Sequence, residues 1–321
     1  VKYPALKDRV SGDLMKKSSI AVVINFCSNE SSFIGSCIEE ARKFARQIII
    51  PVCDHFFDGV EENRTLLEKI YRSYPDCLFL EYPFIPSILR RHIVKGVPQV
   101  PFWHSFSRLI GASFLECEIE TILFLDADEI SDGFKFCEWL ETGDYQQNTV
   151  MKLSNYWYFR EPIYQALPWE DSIVLVRRRV LTRDLLFQQG ERDAIYQFLP
   201  GPKRRNITGI DGQPMFHHFS WVRTKEAMLR KVQSWGHKSD RNWVELVEKE
   251  FLGPFQGTDF IHGYRYKTVS PLFDIRLEPV IFNVQDQDPQ VIRLTKKDLF
   301  DLLKFKKRSI RKWLSYAFTG F

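Results

Sequence analysis

The chain has 321 residues, 44% of them apolar and 27% charged, with a formal net charge of +4. That composition suits a globular protein of one large domain or two small ones and excludes collagen-like, coiled-coil and disordered classes. A surplus of four positive charges is too small to argue for nucleic acid, and no apolar run approaches the ~20 residues that span a bilayer. The six cysteines all precede residue 138 and form no Cys-x-x-Cys pair. They suggest neither a zinc site nor a disulfide framework, so a reducing cytoplasm is the expected compartment. Residues 1–17 are polar and lack the apolar stretch of a signal peptide.

In chain order, residues 19–26 (SIAVVINF) form a continuous apolar run, the pattern of a strand buried on both faces. A polar turn follows, then helical spacing at Phe33, Cys37, Ala41 and Ala45. Residues 48–52 predict a second strand, 61–74 a helix, 77–82 a third strand and 102–116 another helix. Residues 121–125 (TILFL) predict a fourth buried strand running into Asp126-Ala127-Asp128-Glu129. Strands alternating with helices imply βαβ units, hence an α/β fold with an open, mostly parallel sheet flanked by helices. Ligands of such sheets bind where the strands end.

Beyond residue 148 the pattern changes. Residues 150–160 and 172–179 predict strands, 185–215 are rich in turn residues, and Thr224 caps a helix marked by Met228, Val232 and Trp235. Between Arg293 and Lys312 nine basic residues face only Asp298 and Asp301, with apolar residues interspersed. This basic amphipathic tail suits an anionic membrane surface, so peripheral contact at the inner face of the membrane is expected, and no nucleic acid. The expected boundaries are an extension over 1–18, a domain over 19–290 (nucleotide half 19–135, acceptor half 136–290) and the tail over 291–321.

Asp126 and Asp128, leaving a buried strand together, can bind a hard divalent ion through oxygen while leaving positions open for substrate phosphates. The plainer alternative is a pair of turn and cap residues.

The run Val22-Val23-Ile24-Asn25-Phe26-Cys27-Ser28-Asn29-Glu30, with Phe124-Leu125-Asp126-Ala127-Asp128-Glu129, resembles the nucleotide-sugar glycosyltransferases of the GT-A fold, of the family 2 and family 17 types. The resemblance covers residues 19–135 and more loosely reaches 240. It implies a GT-A-like fold with C-terminal helices, Mn²⁺ or Mg²⁺ as cofactor, and a UDP-sugar as expected donor. The hexosyl group would pass to a hydroxyl of a glycan or lipid-linked saccharide, with inversion. Nucleotide contacts would fall on Asn25, Asn29, Glu30, Asp54, Arg108, Asp126 and His237. Metal ligands would be Asp128 and Asp126, with His218 from Phe216-His217-His218-Phe219-Ser220-Trp221 as a third. His217 is the alternative if the register is off by one.

In family 2 enzymes a carboxylate, often in a Glu-Asp pair, deprotonates the acceptor. The Glu170-Asp171 pair lies closer to the Asp-x-Asp than in that family, so Asp171, then Glu170, then Glu161 are the candidate bases. Trp157, Tyr158 and Trp169 would form an aromatic acceptor wall. A nucleotidyltransferase, or a non-catalytic glycan- or membrane-binding protein on the same scaffold, are the alternatives.

Overall fold

The computed structural model describes residues 19–88, 99–188, 190–234, 240–277 and 280–304. Its strands are β1 (Ile20–Asn25), β2 (Gln47–Cys53), β3 (Leu78–Tyr82), β4 (Thr121–Asp126), β5 (Glu129–Ser131), β6 (Val150–Phe159), β7 (Glu161–Arg177), β8 (Lys203–Ile207), β9 (Phe216–Trp221), β10 (Tyr266–Thr268) and β11 (Gln290–Arg293). Its α-helices are α1 (Ser31–Ala41), α2 (Arg64–Ser73), α3 (Gln99–Ser113), α4 (Gly133–Glu141), α5 (Arg183–Leu186), α6 (Arg192–Phe198), α7 (Lys225–Ser234), α8 (Trp243–Glu250) and α9 (Lys296–Lys304).

One mixed sheet runs β11-β3-β2-β1-β4-β7-β6-β9-β5, with β10 on β7 and β8 on β6. The first five strands are parallel to one another, as the βαβ pattern requires. β7 then joins β4 antiparallel, and β6 joins β7 the same way. Alternation along β1 shows why both faces are covered. Ile20, Val22 and Ile24 pack with Phe33, Ile34 and Ile38 of α1, and Ala21 and Val23 pack with Trp103, Phe106 and Ile110 of α3. The fully buried run of β1 therefore needs a helix layer on each side.

The helix starts follow local chemistry. Asn63 accepts the Leu66 N–H, Asp132 that of Lys135, and Thr224 Oγ1 that of Ala227. The Asn63 cap puts the start of α2 at Arg64, after the expected residue 61.

Three expectations change. Glu170 and Asp171 lie within the long strand β7, which begins at Glu161, well before the expected start at residue 172. Register shifts between β6 and β7 break the period of two that would have revealed the strand. Residues 185–215 contain α6 and β8, too short for periodicity to show. The third change concerns the boundary at 290. β11 hydrogen-bonds in parallel to β3, and α9 buries Leu299, Leu302 and Leu303 in the same core as Leu80 and Trp103. Residues 291–304 are thus part of the domain, and their apolar side is spent on packing instead of facing a membrane. The rest of the basic tail, Trp313 included, lies outside the described residues, as does His237. No helix among the described residues is long and apolar enough to cross a membrane.

Gly111 allows α3 to lie directly on the sheet: a Cβ there would stand 2.4 Å from Val23 Cγ1 and 3.1 Å from Pro51 Cγ. Neither neighbour is a flexible chain end. Gly111→Ala should therefore cost about 1–3 kcal/mol, read as a lowered urea midpoint with unchanged slope.

Candidate functional site

β1 and β4 are in register to their last residues, so Asn25 stands opposite Asp126 at the carboxyl edge of the sheet. β1 continues toward β2 through α1, whereas β4 arrives from β3 through α3 on the opposite face. This is the point where the chain reverses its winding, the usual place for a ligand in such sheets. A cavity of about 350 Å³ opens there. Its lining combines Phe26, Cys53, His55, Phe56, Phe57 and Tyr82 with Asn29, Glu30, Asp126, Asp128, His218, Ser220 and Lys231.

His218 reaches Asp128 through sheet pairing. β5 follows the Asp-x-Asp turn and pairs antiparallel with β9, setting Glu129 opposite His218. The Phe219 N–H donates to the Asp128 carbonyl at 2.8 Å. His218 Nε2 then lies 3.6 Å from Asp128 Oδ1.

Buried carboxylates stay ionised only when paired. Arg108 donates to Asp126 Oδ1 at 3.0 Å and Arg192 lies 3.3 Å from Oδ2. Burial opposes ionisation of Asp126, but Arg192, Arg108, His104 and His218 outweigh it and hold the carboxyl well below its usual range. Asp128 Oδ2 accepts from Arg223 at 3.0 Å and from Lys231 at 3.5 Å. Burial again opposes ionisation, and Lys231, His218 and Arg223 together keep this carboxyl low. Arg223 also binds the Asn29 carbonyl at 2.8 Å and Glu30 Oε1 at 3.2 Å, tying the loop after β1 to β9. Glu30 has the opposite fate, because burial and the nearby Asp128 push its carboxyl up to about 8. Behind this layer Glu129, fully buried, accepts a two-pronged contact from Arg192 and hydrogen bonds from the Asp126 N–H and Ser172 Oγ.

The structure brings Asn25, Asn29, Glu30, Asp126, Asp128 and His218 to the cavity wall. Arg108 stands behind it, joining Asp126 to Glu191. Asp54 sits at the end of β2 between two lining residues, but its Oδ1 is engaged by the Phe84 N–H and by His55 Nδ1, each at 2.7 Å. The expected bases do not gather here. Asp171 is held by Arg205 at 2.8 Å and Lys152 at 3.2 Å. Glu161 is exposed next to the hairpin turn at Arg160. Glu170 shares a sheet face with Trp157 and His218, yet stands outside the cavity.

The aromatic wall divides. Trp157 meets the His218 ring edge-on at 4.8 Å. Tyr158 is 3% exposed, stacks on Phe219 and bonds to His217 Nδ1 at 2.8 Å. Trp169 packs with Tyr156, whose ring adjoins His217. Tyr158, Trp169 and His217 therefore lie on the far face of the sheet, since successive strand residues point oppositely. This removes the wall role from Tyr158 and Trp169, and it puts His218, not His217, at Asp128.

Sequence reasoning missed Glu191, Arg192, Arg223, Lys231 and His104. Glu191 lines the cavity with φ of 50° at the start of α6, and Arg108 donates to its Oε2 at 3.1 Å. Burial opposes its ionisation, but His104 and Arg108 keep it ionised. The one available signal was Gly190-Glu191-Arg192-Asp193, a charged run opening a helix. Asn25 Oδ1 and His104 Nδ1 are buried without a hydrogen-bond partner, in residues that line the cavity. Such atoms await a polar ligand or water.

Among the described residues no group of three or more His, Cys, Asp or Glu side chains is spaced to hold a metal. Both Asp126 oxygens face arginines, which removes Asp126 from the expected ligand set. Asp128 Oδ1 and His218 Nε2 remain, 3.6 Å apart, wider than the about 3 Å between neighbouring ligands of an octahedral Mg²⁺ or Mn²⁺. These two are the residues that would hold such an ion.

Replacing Arg223 by Met would strand Asp128 and Glu30 beside each other. A loss of about 3–5 kcal/mol in urea unfolding is expected, with Arg223→Lys intermediate.

No family model and no curated protein matches this sequence. Among solved structures, the chain is similar to the 4-diphosphocytidyl-2C-methyl-D-erythritol synthase from Anaerococcus prevotii DSM 20548, with 8% identity over 61% of this chain and 91% of that one, at a TM-score of 0.37. It is similar to the glycosyltransferase GlyE of Streptococcus pneumoniae TIGR4, with 12% identity over 72% of this chain and 62% of that one, at 0.36. It is also similar to S. aureus TarS 1-349, with 10% identity over 73% and 72%, at 0.36. At such low identity and overlap these likenesses decide neither activity nor substrate.

Proposed function

We propose that the chain is a glycosyltransferase that moves a sugar from a nucleoside diphosphate, UDP in the first instance, to a saccharide hydroxyl. The observation that carries this reading is a single cavity lined by both aromatic rings and charged groups. Phe26, Phe56, Phe57 and Tyr82 offer ring surface for a flat base. Lys231, which donates to Ser220 Oγ at 2.9 Å and only loosely contacts Asp128, is a lining cation with a donor to turn toward a diphosphate. A molecule with a base, an anionic middle and a sugar suits that mix of surfaces.

A divalent ion held by Asp128 Oδ1 and His218 Nε2 would neutralise charge on the diphosphate. Lys231 donates to the diphosphate oxygens as the bond to the anomeric carbon breaks and its electron pair leaves with the phosphate. Asn25 and His104 supply unpartnered polar atoms to orient the nucleoside. Glu191 is the best-placed base, being ionised, on the cavity wall and fixed by Arg108. It accepts the proton of the acceptor hydroxyl as the oxygen bonds to the anomeric carbon. Attack opposite the leaving group in one step inverts that carbon. Asp171, held by Lys152 and Arg205, does not line the cavity.

Calorimetric titration of UDP, GDP and CDP, with and without Mn²⁺, tests the reading. UDP should bind in a Mn²⁺-dependent way, and Asp128→Asn should abolish the dependence. Lys231→Met should weaken UDP roughly ten- to hundredfold, the scale of one charge-assisted hydrogen bond. Failure of all three nucleotides to bind sinks the proposal. Once transfer can be assayed, Glu191→Gln should lower kcat by roughly 10²- to 10⁴-fold and leave UDP affinity unchanged.

A further inference from the structure

The sheet face that carries His218 continues beyond the cavity through Trp157. His262 packs on Trp157 with ring centroids 5.0 Å apart, and Tyr264 packs on His262 at 4.9 Å. The Tyr264 hydroxyl donates to Glu170 Oε1 at 3.2 Å, and His262 Nδ1 lies 3.7 Å from the same oxygen. Glu170 and His262 keep 24% and 36% of their side-chain surface open to solvent. Glu170, His262 and Tyr264 thus form a partly open cluster, two ring contacts from His218, that the nucleotide cavity does not use.

The loop that presents this cluster is held in one shape by a single carboxylate. Asp259 is 4% exposed. Its Oδ1 accepts the backbone N–H groups of Ile261, His262 and Gly263 at 2.7, 2.6 and 3.2 Å. Its Oδ2 accepts the Tyr264 N–H at 3.2 Å and the Tyr266 hydroxyl at 2.8 Å. Tyr266 opens β10, which pairs with β7 at Ala166. His262 and Tyr264 are therefore ordered before any ligand arrives, which removes much of the entropy a mobile loop would lose on binding.

We propose that Glu170, His262 and Tyr264 form a saccharide subsite, which, given the transferase reading above, receives the acceptor. The chemistry selects an uncharged polyol. The carboxylate and phenol exchange hydrogen bonds with ring hydroxyls, and the imidazole and phenol faces cover the apolar C–H face of a sugar. The Glu170 charge repels a diphosphate, so donor and acceptor are sorted to opposite sides of His218. Trp157, fixed between His218 and His262, spaces the two halves. Glu170 then serves acceptor binding.

Saturation-transfer NMR with methyl glycosides of glucose, galactose, mannose and N-acetylglucosamine and their β-linked disaccharides, in the presence of UDP and Mn²⁺, tests the subsite. At least one of these should bind the wild-type protein. His262→Ala and Glu170→Gln should each weaken it about tenfold or more, with Tyr264→Phe falling between. UDP affinity, measured in parallel on each variant, should stay within about twofold of wild type and report intact folding. Binding of none of the saccharides, or equal binding by the variants, overturns the subsite even when UDP binds. Saccharide binding that the variants lose, in a protein that binds no nucleotide, retains the subsite and overturns the transferase.

Discussion

Carboxylates crowd the carboxyl edge of this sheet, and the surrounding architecture depends on how their charge is met. A carboxylate taken out of water is several kcal/mol less stable unless a cation replaces the solvent. Here the cations come from separate parts of the chain. Arg108 is on α3, Arg192 on α6, Lys231 on α7, and Arg223 just after β9. Each pair is therefore also a tertiary restraint. Arg223 joins the loop after β1 to β9, and Arg108 joins β4 to the start of α6. Removing a single cation would strip a buried carboxylate of one partner and loosen one wall of the cavity as well.

The same network grades the side chains by what they are free to do. Arg108 and Arg223 are buried, Arg192 is partly so, and all three are multiply bonded, so they hold geometry. Lys231 has a longer contact to Asp128 and a hydroxyl partner, an arrangement that a diphosphate can replace at small cost. Asp126, despite its place in the motif, is enclosed by two guanidinium groups and acts as a fixed negative charge. Asp128 Oδ1 and His218 Nε2 stand 3.6 Å apart at the cavity wall. The motif residues thus differ in role because their neighbours differ, and those neighbours are far away in sequence.

The second half of the chain shows how one residue of strand register governs function. His217 and His218 are adjacent, but one bonds Tyr158 inside the core and the other faces Asp128. Trp157 and Tyr158 divide the same way, as do Trp169 and Glu170. A shift of one position would exchange every member of these pairs between core and site. The β5–β9 pairing prevents that shift by hydrogen-bonding the Asp-x-Asp segment directly to the strand that carries the histidines.

The order of strands and helices up to β4 was legible in the sequence because strands buried on both faces must be continuous apolar runs. The Asp-x-Asp was legible because two acidic residues directly after such a run stand out. His218 was singled out through a family resemblance, and the β5–β9 register sets it beside Asp128. What the sequence did not disclose has a common cause. Bulges hid the length of β7, and β10, β11 and α6 are too short to show a period. Arg192, Arg223, Lys231 and Glu191 look like any surface charge until the sheet edge gathers them. By itself the sequence determined the parallel α/β framework and the acidic turn, since both arise from local pattern. Only the tertiary structure decided which carboxylates are neutralised, which remains open to a ligand, and which face of β6 and β7 meets the site, because those outcomes depend on contacts between residues tens to nearly two hundred positions apart.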